Sequence, residues 1–278
     1  PMPFPNFIIG GPPKTGTTSL FSWLSDHPDV CVSSVKETYH FYSREEERTG
    51  IVQTYSDQEI AAYSAYFKDC EGKKVICEAT PSYLYSKSAI APLKAINDDL
   101  KILFIYREPA DRLYSEFSFH RYKTKRFKGS FKSYIGDVQL AQSDYHPFLK
   151  NWVDGLGADK VKLIHFTDLQ TRPNEVMKAI CNELGLAVDF YENRDLAAKN
   201  QTADFRNRWL HVQLLKIASI VPKKFTDAVA PWYYKLNSKG TPDKDNEDLY
   251  LLEELKKQLS PSTERVMNDF AECFIPIR

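Results

Sequence analysis

A lysine and a row of hydroxyl residues follow an apolar run near the start of the chain. The run at 7–9 enters a Gly/Pro turn, and then Lys14 precedes what is predicted to be a helix. The N–H groups of such a turn and the positive end of the helix dipole converge on one point, where an anion binds. Four hydroxyl side chains can donate hydrogen bonds there: Thr15, Thr17, Thr18 and Ser19. The simpler alternative is a turn followed by an ordinary capped helix.

The order of residues in this loop differs from that of loops that bind ATP and GTP. Those loops place the lysine directly after the last glycine, whereas Lys14 precedes Gly16 by two positions. The segment therefore predicts a strand, a phosphate-binding loop and a helix, but not a standard ATP or GTP site.

A second charged segment follows the apolar run 101–106, which is typical of a buried parallel strand. Arg107 comes directly after this run, and Pro109 suits the first turn of a helix. Ser115 then lies about two helical turns further on. Arg107 is thus expected at the tip of a strand, and a surface salt bridge is its simpler alternative.

Together the two segments resemble the sulfotransferases that use 3′-phosphoadenosine 5′-phosphosulfate (PAPS). The first matches the family pattern P-x-K-[TS]-G-T-T-[SA]-L, and the second matches R-[DNE]-P-x-x-R-x-x-S. The resemblance covers about residues 5–210 and is nearer to the heparan-type and bacterial members. It implies that the first loop, from Lys14 through Gly16 to Ser19, binds the 5′-phosphosulfate. It also implies that Arg107 and Ser115 bind the 3′-phosphate.

Two further segments support the resemblance and suggest a general base. The segment 36–42 is similar to the family pattern K-E-x-x-[HY]-F-[FY], in which the glutamate is the proposed base, and this implies that role for Glu37. The segment 75–84 is similar to one that lines the family's site. His40 and His120 are alternative bases because imidazole titrates near neutral pH, although a lone histidine is more often structural.

The contacts to the adenine are the weakest part of the resemblance. Family members carry a basic, glycine-containing loop late in the domain, and the nearest candidate here is 199–208. This loop departs from the family pattern because it lacks glycine and carries Asp204, and Arg206 and Arg208 are its candidate contacts to the nucleotide.

Composition and charge restrict the partners. The net charge is zero, so no overall field favours nucleic acid, although 107–128 is locally basic. The five cysteines are odd in number and form no C-x-x-C pair, which predicts buried free thiols in a reducing compartment. No metal-ligand spacing, membrane span or signal peptide is visible, so we expect a cytoplasmic protein that needs no metal.

The periodicity predicts an α/β fold with P-loop-like, three-layer α/β/α architecture around a mostly parallel sheet of about five strands. The predicted strands are 7–10, 30–33, 74–78, 101–106 and 161–165. The predicted helices are 17–26, 57–68, 87–97, 110–124, 147–155, 172–185, 205–219 and 246–259. A loop or lid is predicted at 221–250. We expect one domain over 1–278, with its core at 5–210 and a helical or lid extension at 211–278.

The predicted function is transfer of a sulfuryl group from PAPS to an acceptor hydroxyl, less readily an amine, by in-line displacement. The acceptor is a small molecule, an acyl or polyketide chain, or a saccharide. One alternative is a small-molecule kinase with a variant phosphate loop, although no Walker B run is present. The other is a non-catalytic nucleotide-binding or scaffold protein of the same fold. The oligomeric state stays open.

Overall fold

The central sheet places the two predicted anion sites side by side. The computed structural model describes residues 3–196, 204–205, 238–240 and 244–277. Its main sheet has five parallel strands: β1 (Phe7–Gly11), β2 (Val30–Val32), β3 (Val75–Ala79), β4 (Lys101–Tyr106) and β5 (Val161–His165). Their order is β2-β3-β1-β4-β5, so β1 and β4 are neighbours at its middle. The five predicted strands are confirmed.

Helices follow the strands along the chain. They are α1 (Thr17–Ser25), α2 (Arg44–Thr49), α3 (Asp57–Ala62), α4 (Ile90–Ile96), α5 (Pro109–Ser118), α6 (Phe131–Tyr134), α7 (Asp137–Ala141), α8 (Tyr145–Leu156), α9 (Phe166–Thr171), α10 (Pro173–Leu184) and α11 (Asn246–Asp269). Short 3₁₀ turns lie at Tyr63–Phe67, Pro81–Tyr85, Lys87–Ala89, Asp189–Tyr191 and Ala271–Cys273, and a π-helical turn lies at Phe119–Lys123.

The core has two layers because alternate strand residues face opposite sides of the sheet. On one side, Ile8 and Phe104 pack in a cluster with Trp152 of α8. On the other side, Ile9 packs in a cluster with Leu20 of α1. Both sides of the sheet are therefore covered by helices, and the predicted three-layer α/β/α architecture is confirmed.

The C-terminal helix α11 packs against α5 and α8. The Tyr114 hydroxyl donates to Asp248 at 2.9 Å, and Nε2 of His146 lies 2.7 Å from a carboxylate oxygen of Asp269. The helix begins where it is predicted to begin, but it runs through Pro261 beyond the predicted end at 259. Burial of Val266 in the core accounts for this longer helix.

The predictions between 205 and 250 need two corrections. Phe205 lies in a strand rather than at the start of a helix, because β6 (Asp204–Phe205) pairs antiparallel with β7 (Ser238–Gly240). The predicted loop or lid at 221–250 therefore contains β7, and its end already belongs to α11. The rest of both predicted segments lies outside the described residues.

A disulfide joins Cys31 of β2 to Cys70, with the two Cα atoms 5.3 Å apart. The prediction of free thiols is wrong for this pair and is confirmed for Cys77, Cys181 and Cys273, which are buried. The two bonded cysteines are 39 residues apart, and only the fold brings them together. Disulfides persist mainly in oxidising compartments. The cysteines therefore no longer favour a cytoplasmic location.

Candidate active site

The loop between β1 and α1 leaves the N-terminus of α1 without a capping side chain. Inside the loop, the Thr15 hydroxyl donates to the carbonyl of Pro12 at 2.7 Å. The cap residue of α1 is Gly16, so no side chain caps the helix. The first N–H groups of a helix have no partner within the helix, and an anion is their usual alternative to a capping side chain.

Two glycines make this loop possible. At Gly11, φ is 112° and a Cβ atom would lie 1.9 Å from the carbonyl oxygen of Pro81. At Gly16, φ is 85° and a Cβ atom would lie 2.9 Å from a methyl carbon of Leu169. The loop is thus held between the turn after β3 and helix α9, at the carboxyl edge of the sheet. Ligands of open α/β sheets bind at this edge.

Arg107 connects the second predicted anion site to the first. It directly follows β4, and its Nη1 donates to the backbone carbonyl of Lys14 at 2.6 Å. Its guanidinium also lies 4.4 Å from the centre of the Phe166 ring. Burial lowers the pKa of Arg107, but a guanidinium remains protonated in proteins. Ser115 lies in α5, as predicted, with its side chain half-buried.

Lys14 lies in a strongly cationic environment. Its ammonium is 4.1 Å from the centre of the Phe119 ring, and the ammonium of Lys123 is 5.7 Å from the same ring. Burial, together with the charges of Lys123 and Arg107, lowers the pKa of Lys14 to about 8. Such a cluster of half-desolvated cations attracts a polyanionic ligand.

The hydroxyl residues predicted to bind the 5′ end occupy the first turn of α1. Thr17 is its first residue, and the side chains of Thr17 and Ser19 are buried while that of Thr18 is half-buried. The structure therefore brings the predicted residues of the loop, Lys14 to Ser19, to one helix terminus beside Arg107.

Glu37 lies on a loop that is attached to the end of β3. Its N–H donates to the carbonyl of Ala79 at 2.9 Å, and Ala79 pairs with Ile9 of β1. The carboxylate forms an ion pair with Lys36 and accepts a 2.7 Å hydrogen bond from the Tyr39 hydroxyl. Burial alone would raise the pKa of Glu37, but these two hydrogen bonds outweigh it and leave the pKa below its usual value. Glu37 is ionised at neutral pH and able to accept a proton.

The two histidines have different surroundings. Nε2 of His40 lies 2.8 Å from the carbonyl of Glu59, and its ring is 5.1 Å from that of Tyr63. These contacts hold His40 in an aromatic cluster near α3. His120 lies in the π-helical turn, where burial lowers its pKa and the charge of Lys14 contributes to the shift. The ring of His120 lies 5.5 Å from that of Phe119, which the Lys14 ammonium also contacts.

Arg206 and Arg208 lie outside the described residues, so their role toward the nucleotide stays a prediction. Sequence reasoning missed Phe119 and Phe166, and it gave no individual role to the completely buried Glu78 of the segment 75–84. The sequence does not distinguish these two phenylalanines from any other apolar residue of a helix. Glu78 is an acid inside an apolar strand, which is a signal in itself.

The residues present fit a donor with phosphate groups at both its 3′ and 5′ positions. The N-terminus of α1 carries no capping side chain. Among the residues that the structure describes, neither Lys14 nor Arg107 forms a direct ion pair, although Glu116 lies near Lys14 and Asp111 lies near Arg107. Both cations can therefore contact an anionic ligand directly. In the same part of the chain, no three His, Cys, Asp or Glu side chains form a group suited to a metal ion.

Comparison with known proteins decides the family. Residues 4–213 match the family model described as "Sulfotransferase domain". The chain belongs to the sulfotransferase family. This confirms the resemblance predicted from the two anion motifs, and with it the prediction of an enzyme of the transferase class.

Relatives of this sulfotransferase include enzymes with much longer chains. It is 32% identical over 127 residues to the "Membrane-associated sulfotransferase kil1" of Dictyostelium discoideum, which covers 45% of this chain and 25% of the relative. It is 26% identical over 218 residues to the mouse "Bifunctional heparan sulfate N-deacetylase/N-sulfotransferase 1", a match that covers 68% of this chain and 23% of the relative. The human "Heparan sulfate glucosamine 3-O-sulfotransferase 6" is 27% identical over 159 residues, and this match covers 54% of this chain and 43% of the relative.

This chain therefore spans between about a quarter and two fifths of the length of these three relatives.

Among solved structures, a sulfotransferase from Alicyclobacillus acidocaldarius is 25% identical with a TM-score of 0.58, covering 78% of this chain and 92% of that one. The sulfotransferase domain from the curacin biosynthetic pathway shares the fold, with a TM-score of 0.50 and 14% identity. The match covers 71% of this chain and 81% of that one.

None of the described helices has both the length and the apolar composition that crossing a bilayer requires.

Proposed function

We propose that this sulfotransferase moves a sulfuryl group from PAPS to the hydroxyl, or less readily the amine, of an acceptor. The hydrogen bond from Arg107 to the carbonyl of Lys14 carries the proposal, because it joins the two predicted phosphate-binding segments in one site. One nucleotide with phosphates at both ends would contact both segments at once.

The residues divide between the two ends of the donor. The N–H groups at the start of α1, together with Thr17, Thr18 and Ser19, would bind the 5′-phosphate. Arg107 and Ser115 would bind the 3′-phosphate. When bound, PAPS supplies a sulfuryl group attached to a phosphate leaving group and open to in-line attack. Lys14 would neutralise the negative charge that grows at the bridging oxygen, and donors placed in advance in this way commonly give the largest single contribution to catalysis.

Glu37 is the proposed general base. Its carboxylate is ionised at neutral pH and half-exposed, so it is open to an acceptor from solvent. A carboxylate with a lowered pKa is a weak base, and it takes a proton most readily once bonding to sulfur has made the acceptor hydroxyl acidic. His120 is the second candidate because it shares the electrostatic environment of Lys14, and His40 is the third.

The acceptor class is a separate part of the proposal. Two of the relatives are named for action on heparan sulfate, and this supports a saccharide acceptor for the present chain. Small-molecule hydroxyls and carrier-bound acyl or polyketide chains are the other acceptors to be tested. A panel with one member of each class, incubated with ³⁵S-labelled PAPS, would distinguish them by the product that carries the label.

The donor is tested first by thermal stabilisation with 3′-phosphoadenosine 5′-phosphate (PAP), beside ATP with Mg²⁺. A ligand that binds the native state raises the unfolding temperature by mass action. We expect a shift with PAP that is lost in Arg107→Ala and kept in Lys150→Ala, which alters an exposed helix ion pair. A shift with ATP and Mg²⁺ alone would contradict the proposal and favour a kinase.

A further inference from the structure

The most unusual segment outside the phosphate loop is the one that carries Glu37. Glu37 and Tyr39 have φ values of 64° and 52°, in the left-handed region that residues other than glycine rarely adopt. Such residues persist only where the surrounding structure holds them, and they concentrate at functional sites. The question is therefore what holds the segment 37–41 in this conformation.

The end of β3 and the turn after it accept hydrogen bonds from most of this segment. The N–H of Thr38 reaches Oε1 of Glu78 at 3.4 Å, and the Thr38 hydroxyl reaches the same oxygen at 3.2 Å. The N–H of Tyr39 points to the hydroxyl of Thr80 at 3.4 Å. Together with the bond from Glu37 to Ala79, these contacts hold three consecutive N–H groups on β3 and the residue after it.

Glu78 is the centre of this arrangement. Its side chain is completely buried, and its Oε1 also accepts a 2.5 Å hydrogen bond from Thr80. Its Oε2 has no hydrogen-bond partner among the described residues. A buried carboxyl with an unpaired oxygen is costly, so this residue is poorly explained as a contributor to stability alone.

We propose that Glu78 is a positioning residue that holds Thr38, and through it presents the Glu37 carboxylate to the acceptor. The inference rests on the proposed function, since it assigns Glu78 a task only if Glu37 is the base. Glu78 does not touch the acceptor itself, because its side chain is completely buried. It acts through the two hydrogen bonds from Thr38.

The surroundings of Glu78 make its hydrogen bonds with Thr38 sensitive to pH. Tyr63 and Tyr83 face it from two 3₁₀ turns, Cys77 neighbours it in β3, and Lys36 is the cation near it. Burial raises the pKa of Glu78 to about 7, although the hydrogen bonds from Thr80 and Thr38 oppose this shift. An ionised carboxylate accepts hydrogen bonds more strongly than a protonated one. The hydrogen bonds from Thr38 are therefore expected to hold the segment 37–41 more firmly above pH 7, even though burial of the charge lowers the stability of the whole protein there.

Hydrogen exchange of the segment 37–41 tests the proposal without relying on catalysis. In Glu78→Leu, which keeps a buried side chain of similar size, we expect exchange to be about tenfold faster because the local structure opens more often. Glu78→Gln keeps an acceptor oxygen, so protection should be retained but should no longer change near pH 7. Glu183→Gln, at the opposite end of the sheet beside Lys101, is the matched control and should leave this segment unchanged.

Turnover and PAP affinity complete the test. We expect kcat in Glu78→Leu to fall about tenfold, as for a displaced catalytic group, while the Kd for PAP stays within about twofold of wild type. Thr38→Val removes the donor hydroxyl and should have the same effect in a smaller degree, and it replaces Glu78→Leu should that variant not fold. Wild-type exchange in both variants, or loss of PAP binding in parallel with kcat, would overturn the proposal. Full turnover in Glu37→Gln would instead contradict the proposed function and leave the exchange result intact.

Discussion

The guanidinium of Arg107 donates a 2.6 Å hydrogen bond to the backbone carbonyl of Lys14. A residue from the tip of β4 therefore fixes the conformation of the loop that follows β1. The bond uses Nη1, and no other residue in the described part of the chain accepts a hydrogen bond from the guanidinium fork, which has further N–H groups for a ligand. Arg107 thus has two tasks, one in building the phosphate loop and one as a proposed ligand of the 3′-phosphate.

Replacing Arg107 should weaken PAP binding more than AMP binding, because AMP lacks the 3′-phosphate. We expect Arg107→Ala to reduce the affinity for PAP by about 10- to 100-fold, the range for a lost hydrogen bond to a charged group. The affinity for AMP should fall less, through the loosened loop alone. Titration calorimetry with both nucleotides measures the difference, and Arg172→Ala, which alters an exposed ion pair on α9, is the control. An equal loss for both nucleotides would argue against a 3′-phosphate contact.

Replacing Lys14 should abolish transfer without unfolding the protein. The Lys14 ammonium contributes charge to the site and lies over the face of Phe119. We expect Lys14→Ala to lower kcat by at least about 100-fold, the usual effect of removing one charge-stabilising donor. Turnover of ³⁵S-labelled PAPS and the unfolding temperature are measured together. Retained turnover in a folded variant would refute the role given to Lys14.

The affinity for PAP should fall as pH rises above 8. Burial lowers the pKa of Lys14 to about 8, so the ammonium loses its proton, and with it its attraction for an anion, above that pH. Bound PAP should raise the pKa again, and binding near pH 8 should therefore take up protons from the buffer. Calorimetry in buffers of different ionisation enthalpy measures this uptake. Lys14→Arg, which cannot deprotonate, should show neither effect, and a wild-type affinity that is constant up to pH 9 would contradict the pKa shift.

The strands and the phosphate loop were predictable from the sequence because their signals are local. Buried parallel strands such as β1 and β4 read as continuous apolar runs. Parallel strands also bring their carboxyl ends to one edge, so Lys14 and Arg107 were expected there. The helix α5 was equally clear, since Pro109 suits a first turn, where Glu108 also caps the helix.

The remaining features depend on contacts between distant segments. Phe119 lies over Lys14 only because the chain continues α5 as a π-helical turn, and no residue pattern encodes that turn. The partnership of Cys31 with Cys70 depends on how the chain returns to β2. Glu78 and Thr38 are 40 residues apart, and their contact follows from the packing of the Glu37 loop on β3.

The buried carboxyl of Glu78 should make stability depend on pH. Burial raises its pKa from 4.5 to about 7, so the folded protein binds this proton more tightly than the unfolded chain does. The stabilisation is fully present below pH 4.5 and is lost as pH rises through 7. Relative to Glu78→Gln, the free energy of unfolding should fall by about 3 kcal/mol over this window. Urea unfolding at several pH values checks this, and a constant difference between the two proteins would contradict it.

The disulfide should contribute substantially to stability. In the chain-entropy treatment, closing a loop of this length stabilises the folded state by about 4 kcal/mol. We expect the paired substitutions Cys31→Ser and Cys70→Ser to lower the free energy of unfolding by up to this amount, measured by denaturant unfolding. Dithiothreitol should affect the wild type and not the double variant. Cys181→Ser, at a buried free thiol, is the control and should respond to dithiothreitol as the wild type does.

The same disulfide encloses the loop that carries Glu37, together with the exposed apolar residues Ile51 and Val52. One end of this stretch is fixed in β2 and the other is bonded covalently to it. The stretch is therefore closed at its base, and Phe41, Tyr63 and Phe67 also bury its inner side in the core of the protein. Only the outer part around Ile51 and Val52 is then open to exchange without loss of core contacts, and such an exchange would leave Glu37, the phosphate loop and Arg107 in place.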